Sequence, residues 1–169
     1  MRLRKAEERD VPALVALIEA YASRGLLLRR TEESLRGGLS DFTVALEQEE
    51  IVGCGALMSL GGPGLGEIRS LAVREDKAGK GIGRRLVERL IAEAPARGFA
   101  DLLALTKRVS FFEALGFTVT RRELFLDKIM VDCRVCPLNV CCDETALTLP
   151  IPSPKESRAN RLISEGACK

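Results

Sequence analysis

The chain has 169 residues, of which 46% are apolar, and its 26 basic and 24 acidic residues leave a net charge of only +2. This composition predicts one domain with a real core and excludes the strongly basic surface of a nucleic-acid-binding protein. No apolar run is long enough to cross a membrane and the N-terminus lacks the apolar core of a signal peptide, so we expect a cytoplasmic protein. The absence of histidine excludes Ser-His and Cys-His nucleophiles and every metal site that needs imidazole.

The N-terminal part predicts a strand followed by two helices. A short strand over residues 2–6 precedes Asp10, a residue type that favours a helix N-cap, and apolar residues then recur at helical spacing until Gly25. Thr31 is the predicted cap of a shorter second helix, which ends at Gly37.

Three strands are predicted next. Apolar stretches over residues 42–46 and 51–60 are separated by a polar turn, which is typical of an antiparallel hairpin. A third strand includes Glu67 and runs to Val73.

A glycine loop follows that strand, with glycines at positions 79, 81 and 83, immediately before an amphipathic helix. Closely spaced glycines let backbone N–H groups approach a ligand, and a helix start offers unpaired donors, so this loop suits a pyrophosphate. A P-loop is excluded because Gly81 replaces the required Ser or Thr, and a dinucleotide fingerprint is excluded by Leu86. Taken alone, a tight turn that binds no ligand is the alternative.

The remaining elements complete an α/β order. The helix that begins near Ile82 carries one apolar stripe and ends before Gly98. A buried strand over 102–105, a short helix over 109–115 and a strand over 117–120 follow. This order predicts an α/β sandwich around a mixed sheet.

Two motifs resemble those of the GNAT acetyltransferase superfamily. Leu71-Ala72-Val73 followed by Gly79-Lys80-Gly81-Ile82-Gly83 resembles its acyl-CoA-binding motif, and residues 111–117 resemble its Phe-Tyr-x-x-x-Gly-Phe signature. The resemblance implies a mixed, largely antiparallel central sheet flanked by helices, with the glycine loop at a strand-to-helix junction. It also implies that acetyl-CoA is the cosubstrate, bound by Leu71, Ala72, Val73, Lys77, Ala78, Gly79, Lys80, Gly81, Ile82, Gly83, Arg84 and Phe112.

Two residues depart from the superfamily pattern. Ala78 stands at the position where family members have an Arg or Gln at the start of the loop. The backbone donors remain, and Lys77, Lys80 or Arg84 can supply the positive charge. Phe112 replaces a tyrosine that often protonates the departing CoA thiolate. Because thiols have pKa values near 8.5, a thiolate leaves adequately without that acid.

A narrower similarity, to short bacterial N-acetylglutamate synthases, covers residues 1 to about 149. The matching stretches are 25–33, 51–57, 67–73, 105–108 and the cysteine-containing 132–146, in this order. This similarity implies transfer of an acetyl group from acetyl-CoA to the amine of glutamate, the entry to arginine synthesis.

The implied mechanism is direct attack of a neutral amine on the thioester. Without histidine, the base must be a carboxylate, a lysine, a thiolate, a relayed water or the single tyrosine, Tyr21. Glu67 is the candidate base because the matching family position lies on the strand that lines the acceptor channel; the alternative is an exposed strand carboxylate. Backbone N–H groups near Leu71 to Val73 are expected to hold the oxyanion.

The two carboxylates of glutamate call for cationic partners, guanidinium groups above all. Four basic residues lie on segments expected to face the acceptor, although a basic residue taken alone is more often a surface charge: Arg30, Arg69, Lys107 and Arg108.

A cysteine-rich loop over residues 132–143 precedes the last predicted strand. Its thiols at Cys133, Cys136, Cys141 and Cys142 are enough for tetrahedral zinc, but adjacent cysteines rarely share one ion and the second pair is not a CxxC. We therefore favour reduced cysteines that pack the loop, with a redox-sensitive Cys133–Cys136 disulfide as a further alternative.

The predicted organisation is an acetyltransferase domain over residues 1–149 and a proline-containing tail over 150–169 that carries no chemistry. Three functions are consistent with the sequence: a glutamate N-acetyltransferase, a GNAT enzyme for another small amine or a protein N-terminus, and a non-catalytic CoA- or metal-binding module. A homodimer is also consistent with the sequence.

Overall fold

The computed structural model describes residues 1–61, 64–125, 134, 136 and 142–152. Seven strands and four α-helices follow one another along this part of the chain. They are β1 (Arg2–Lys5), α1 (Val11–Ala22), α2 (Glu32–Gly37), β2 (Phe42–Glu47), β3 (Glu50–Ser59), β4 (Leu65–Val73), α3 (Ile82–Glu93), β5 (Asp101–Thr106), α4 (Val109–Glu113), β6 (Thr118–Thr120) and β7 (Thr145–Pro150).

The strands form one sheet in the order β1-β2-β3-β4-β5-β7-β6. The neighbours pair antiparallel except β4 and β5, which run parallel. Helix α3 makes the crossover between those two strands, as a parallel pair requires. The predicted α/β fold with a mixed, largely antiparallel sheet is confirmed.

Helices cover both faces of the sheet. On one face, Leu14 and Ile18 of α1 pack with Leu35 of α2 against β2 and β3. On the other face, Val87 and Leu90 of α3 pack against β3 and β4, in a core cluster that continues to β5 and β7. These apolar layers hold the middle of the sheet, so the ends of β4 and β5 are positioned by buried contacts on both sides.

The predicted helix caps differ in their outcome. Thr31 caps α2, because its side-chain oxygen accepts a hydrogen bond from the Ser34 N–H at 3.1 Å. Asp10 makes no side-chain cap for α1. Its buried carboxylate accepts hydrogen bonds from Arg4 (2.5 and 2.9 Å) and from the Glu7 N–H (2.7 Å), which caps the preceding turn instead. The Asp10 carboxylate therefore binds Arg4 of β1 instead of the N–H groups at the start of α1.

The C-terminal end of the described chain packs further than residue 149. Strand β7 runs to Pro150, and Ile151 is buried in the core with its N–H donated to the Ala100 carbonyl at 2.7 Å. The beginning of the predicted tail is therefore part of the packed domain, and residues 153–169 lie outside the described chain.

Candidate active site

Strands β4 and β5 separate part of the way along the sheet. Within the described chain, their pairing joins Leu65–Glu67 to Asp101–Leu103 and goes no further. Beyond that point β4 continues against β3, and β5 continues against β7. One edge of β4 after Glu67 is therefore open, and its outward-facing backbone groups are available to a ligand.

A β-bulge in the pairing of β3 with β4 lies beside this open edge. The register of β3 and β4 shifts between Cys54 and Ala56, opposite Ser70, whose φ of 51° lies in the left-handed region that non-glycine residues rarely adopt. The Cys54 Sγ donates to the Ser70 carbonyl at 3.5 Å. Because a trans peptide directs its carbonyl and the next N–H to opposite sides, the Leu71 N–H points away from Cys54.

The end of β4 also presents backbone groups to the opening. The Arg74 N–H donates to the Val52 carbonyl at 2.9 Å, so the antiparallel alternation turns the amide and carbonyl of Val73 away from β3. The hydroxyl of Tyr21, on α1, donates a hydrogen bond to that carbonyl. Leu71 and Val73 thus offer a row of polar backbone atoms beside the gap.

The glycine loop lies directly after this edge. Gly79 and Gly81 both have φ of +75°, which a side chain would strain, and a Cβ added at either would meet nothing within 4 Å. Helix α3 starts at Ile82, so the N–H groups of its first turn have no partner within the helix. The open space over a helix N-terminus suits the phosphates of an anionic ligand.

The cations around the loop make intramolecular contacts. Lys77 pairs with Glu47 at 2.6 Å, and this hydrogen bond raises the pKa of Lys77 and lowers that of Glu47. Lys80 donates to the Asp76 carbonyl at 3.3 Å, and Arg84 pairs with Glu88 at 2.8 Å. The Arg84–Glu88 pair is exposed and therefore weak, and Lys80 contacts only a backbone carbonyl, so a phosphate can compete for these two side chains. Ala78 is exposed.

The two phenylalanines of the second motif lie in different surroundings. Phe112 is 5% exposed and packs edge-to-face against Phe111 and Phe117, so its ring belongs to the core. Phe111 is half-buried, and its Cζ lies 3.6 Å from where a Cβ on Gly83 would stand. The side chain closer to the glycine loop is therefore Phe111.

Glu67 and Arg69 lie together where the strands part. Glu67 is 2% exposed, although it is a carboxylate, and its Oε2 lies 3.6 Å from Nη1 of Arg69. The side chain of Arg69 is 12% exposed. Burial removes much of the hydration of the Glu67 carboxylate, and the largely buried guanidinium of Arg69 offsets part of that cost. Such a charged group beside an opening in the sheet is a candidate for a functional site.

The other predicted acceptor residues lie on the segments that follow β5 and α1. Lys107 follows β5 and pairs with Asp143 at 2.8 Å, which raises the pKa of Lys107 and lowers that of Asp143. Arg108 is exposed, and its N–H donates to the Thr106 Oγ1 at 2.9 Å. Arg30 is half-buried in the segment between α1 and α2.

Two cysteines of the cysteine-rich loop, Cys133 and Cys141, lie outside the described residues, so the predicted four-thiol set is not observed as a whole. Cys136 and Cys142 are half-buried free thiols. Among the described residues, no group of three or more His, Cys, Asp or Glu side chains is placed to hold a metal ion. The helices of this same part of the chain include none that is long and apolar enough to span a membrane.

Three features of the site were missed by the sequence analysis. The bulge at Ser70 has no local sequence signal because it arises from pairing with β3. The sequence alone indicates Tyr21 only as one of several candidate bases, and Phe111 only as part of a motif. The single occurrence of tyrosine in the chain was the one available hint to Tyr21.

The open edge of β4 and the glycine loop at a helix N-terminus define a protein that binds an extended, phosphate-bearing ligand between two parting strands. The family model for the acetyltransferase (GNAT) domain matches residues 38–119. An uncharacterised N-acetyltransferase of Chlorobaculum tepidum is 37% identical over 145 residues, which cover 86% of this chain and 93% of that protein.

Longer relatives carry the same domain. An amino-acid acetyltransferase of Neisseria meningitidis is 34% identical over 124 residues, and the match covers 72% of this chain but only 28% of that protein. The crystal structure of N-acetylglutamate synthase from Neisseria gonorrhoeae, complexed with coenzyme A and N-acetyl-glutamate, superposes with a TM-score of 0.80 at 27% identity. That superposition covers 89% of this chain and 35% of the synthase.

The chain belongs to the GNAT acetyltransferase family. It is an acetyl-CoA-dependent N-acetyltransferase, which confirms the predicted enzyme class and cosubstrate.

Proposed function

We propose that this protein transfers the acetyl group of acetyl-CoA to the α-amine of L-glutamate, as a cytoplasmic step in arginine synthesis. The observation that carries the amino-acid acceptor is the buried Glu67–Arg69 pair at 3.6 Å beside the open edge of β4. The amine and the carboxylate of an α-amino acid also lie close together. The amine can face the carboxylate of Glu67 while the acceptor's carboxylate faces the guanidinium of Arg69. A carboxylate next to a guanidinium therefore matches the backbone end of such an acceptor.

The second carboxylate of glutamate needs a further cation. Lys107, Arg108 and Arg30 are the candidates, since they lie on the segments that follow β5 and α1. A carboxylate of the acceptor would take the place of Asp143 on Lys107. The similarity to proteins named amino-acid acetyltransferase, and to a synthase solved with N-acetyl-glutamate, supports glutamate within this class.

Glu67 is proposed as the general base. The amine must lose a proton before it attacks, and each pKa unit above the working pH costs about 1.4 kcal/mol. Glu67 takes that proton directly or through one water, while the amine nitrogen forms a bond to the thioester carbon. The C–S bond then breaks, and the CoA thiolate leaves and takes up a proton from solvent.

The backbone of β4 is proposed to stabilise the charge that develops on the thioester oxygen. The Leu71 N–H faces away from Cys54 and is held there by the bulge, so it is preorganised as an oxyanion donor. Ala72 and Val73 continue the binding edge for the acyl donor. The loop from Gly79 to Arg84, flanked by Lys77 and Ala78, is proposed to hold its pyrophosphate.

Phe112 is proposed to act through packing, because its ring is buried between Phe111 and Phe117 and has no proton to give. The remaining predictions, namely the domain division at residue 149, the reduced cysteines and the homodimer, stay predictions.

The test is thiol release from acetyl-CoA across a panel of amino acids and polyamines. Turnover confined to glutamate would support the full proposal. Turnover with another α-amino acid would keep the Glu67–Arg69 argument and discard glutamate. Turnover only with polyamines or a peptide N-terminus would contradict the amino-acid acceptor.

A further inference from the structure

Tyr21 connects helix α1 to the open edge of β4. Its hydroxyl donates to the carbonyl of Val73, the last residue of the strand. The guanidinium carbon of Arg24 lies 5.2 Å from the centroid of the tyrosine ring, and Arg24 also forms an ion pair with Glu75. Two side chains of the C-terminal end of α1 thus contact the stretch that leads into the glycine loop.

The same tyrosine holds the start of the segment that contains Arg30. The Tyr21 carbonyl accepts hydrogen bonds from the N–H groups of Arg24 (3.2 Å) and Leu26 (3.1 Å). The chain then continues through Arg30 to α2, which begins at Glu32. A change in the position of Tyr21 would therefore move both the donor edge and the acceptor-side segment.

The contact with Val73 leaves room for a ligand. A carbonyl oxygen has two lone pairs, and the Tyr21 hydroxyl uses one of them. The other can accept a hydrogen bond from an amide N–H of the acyl donor, since this carbonyl faces away from β3. The hydroxyl fixes the direction of the group without blocking it.

We propose that Tyr21 is a positioning residue that joins the acetyl-CoA-binding edge of β4 to the acceptor-side segment over residues 23–30. The proposal rests on the proposed function, because it assigns acetyl-CoA to that edge and the acceptor to that segment. Tyr21 does not take a proton from the acceptor in this role. It sets the geometry of two binding surfaces at once.

The test is the conservative variant Tyr21→Phe, which keeps the ring and removes only the hydroxyl. We expect the KM values for acetyl-CoA and for the acceptor to rise together, each about three- to tenfold, as for loss of one ordered hydrogen bond. We expect a smaller change in kcat, because the base and the oxyanion donor are retained. A purely structural role would lower the melting temperature and leave both KM values of the folded enzyme unchanged.

The matched control is Arg36→Gln. Arg36 of α2 pairs with Glu8 at 2.6 Å and with Glu32 at 2.9 Å, but these pairs are exposed and involve neither β4 nor residues 23–30. We expect its two KM values to remain at those of the wild type. Equal effects of the two variants, or unchanged KM values in Tyr21→Phe, would overturn the proposal.

A spectroscopic readout separates this proposal from the proposed function. The chain has one tyrosine and no tryptophan, so its intrinsic fluorescence comes from Tyr21 alone. We expect CoA binding to change the emission of Tyr21. The CoA concentration at half of this change should agree with the Kd that calorimetry gives. CoA binding that leaves the emission unchanged would overturn the role of Tyr21 even if glutamate is acetylated. An emission change without turnover of any amino acid would contradict the proposed acceptor and support the donor-side contact.

Discussion

Replacement of Gly81 by alanine should weaken acetyl-CoA binding while the fold is retained. The residue has φ of +75°, so alanine there strains the backbone by about 1–2 kcal/mol. A Cβ would meet no protein atom within 4 Å and would instead project into the space over the N-terminus of α3. We expect the Kd for CoA to rise about tenfold, or about 1.4 kcal/mol. Gly81→Glu, which adds a negative charge near the phosphates, should raise the Kd about a hundredfold.

Gly98→Ala is a matched control for this experiment. Gly98 also has φ of +75° and also has nothing within 4 Å of an added Cβ, but it follows the turn after α3 rather than preceding the helix. Both alanine variants should lose the same few degrees in melting temperature. Only Gly81→Ala should lose affinity in calorimetric titrations with CoA. Equal Kd values for the two variants would refute the assignment of the glycine loop to the phosphates.

Four further predictions concern single side chains. Glu67→Gln should lower kcat by about 10²- to 10⁴-fold and leave the Kd for CoA unchanged; a loss of CoA affinity instead would contradict its role as base. Arg69→Ala should raise the acceptor KM about 10- to 100-fold and spare the acetyl-CoA KM, whereas equal effects on both would remove its carboxylate role. The hydrogen bond from Arg4 lowers the pKa of Asp10, so the pair stabilises the fold fully above the unfolded-state pKa and less as pH falls through the folded-state value. Asp10→Asn should therefore lower the free energy of unfolding by about 2 kcal/mol at neutral pH and flatten its decline in acid; an unchanged acid limb in urea titrations at several pH values would disprove this. Burial raises the pKa of the Cys54 thiol to about 12, so Cys54 should resist alkylation until the protein unfolds, and rapid labelling in native protein, located by peptide mapping, would contradict its burial.

The order of elements was predictable because each has a local signal. The apolar stripe from Ile82 to Leu90, the turn between β2 and β3, and the cap at Thr31 all depend on neighbours within a few residues. Asp10 occupies the predicted N-cap position of α1, but its side chain does not cap the helix because Arg4, six residues earlier in β1, binds the carboxylate. Arg4 reaches its carboxylate from the neighbouring strand, and helix propensity contains no information about that contact.

The candidate site was predictable only where it is made of contiguous residues. The glycine loop and the strand before it follow one another in sequence, so a motif can describe them. The Tyr21–Val73 hydrogen bond joins residues 52 positions apart, and the bulge at Ser70 depends on the register with β3. Such features arise from tertiary pairing, which no periodicity in a single sequence reveals.

The donor side and the acceptor side of the proposed site use different kinds of chemical groups. This difference explains how Ala78 can depart from the family pattern while acetyl-CoA binding is retained. In the proposed site, the acyl donor faces backbone groups of Leu71 and Val73 and the first N–H groups of α3, which require glycines in the loop but no polar side chain. Ala78 can therefore replace a polar residue there. The proposed acceptor side uses the charged side chains of Glu67 and Arg69, where we expect one substitution to change which acceptor binds. It follows that relatives with the same glycine loop are free to differ in acceptor, and that the pair beside β4 is a stronger guide to substrate than the loop.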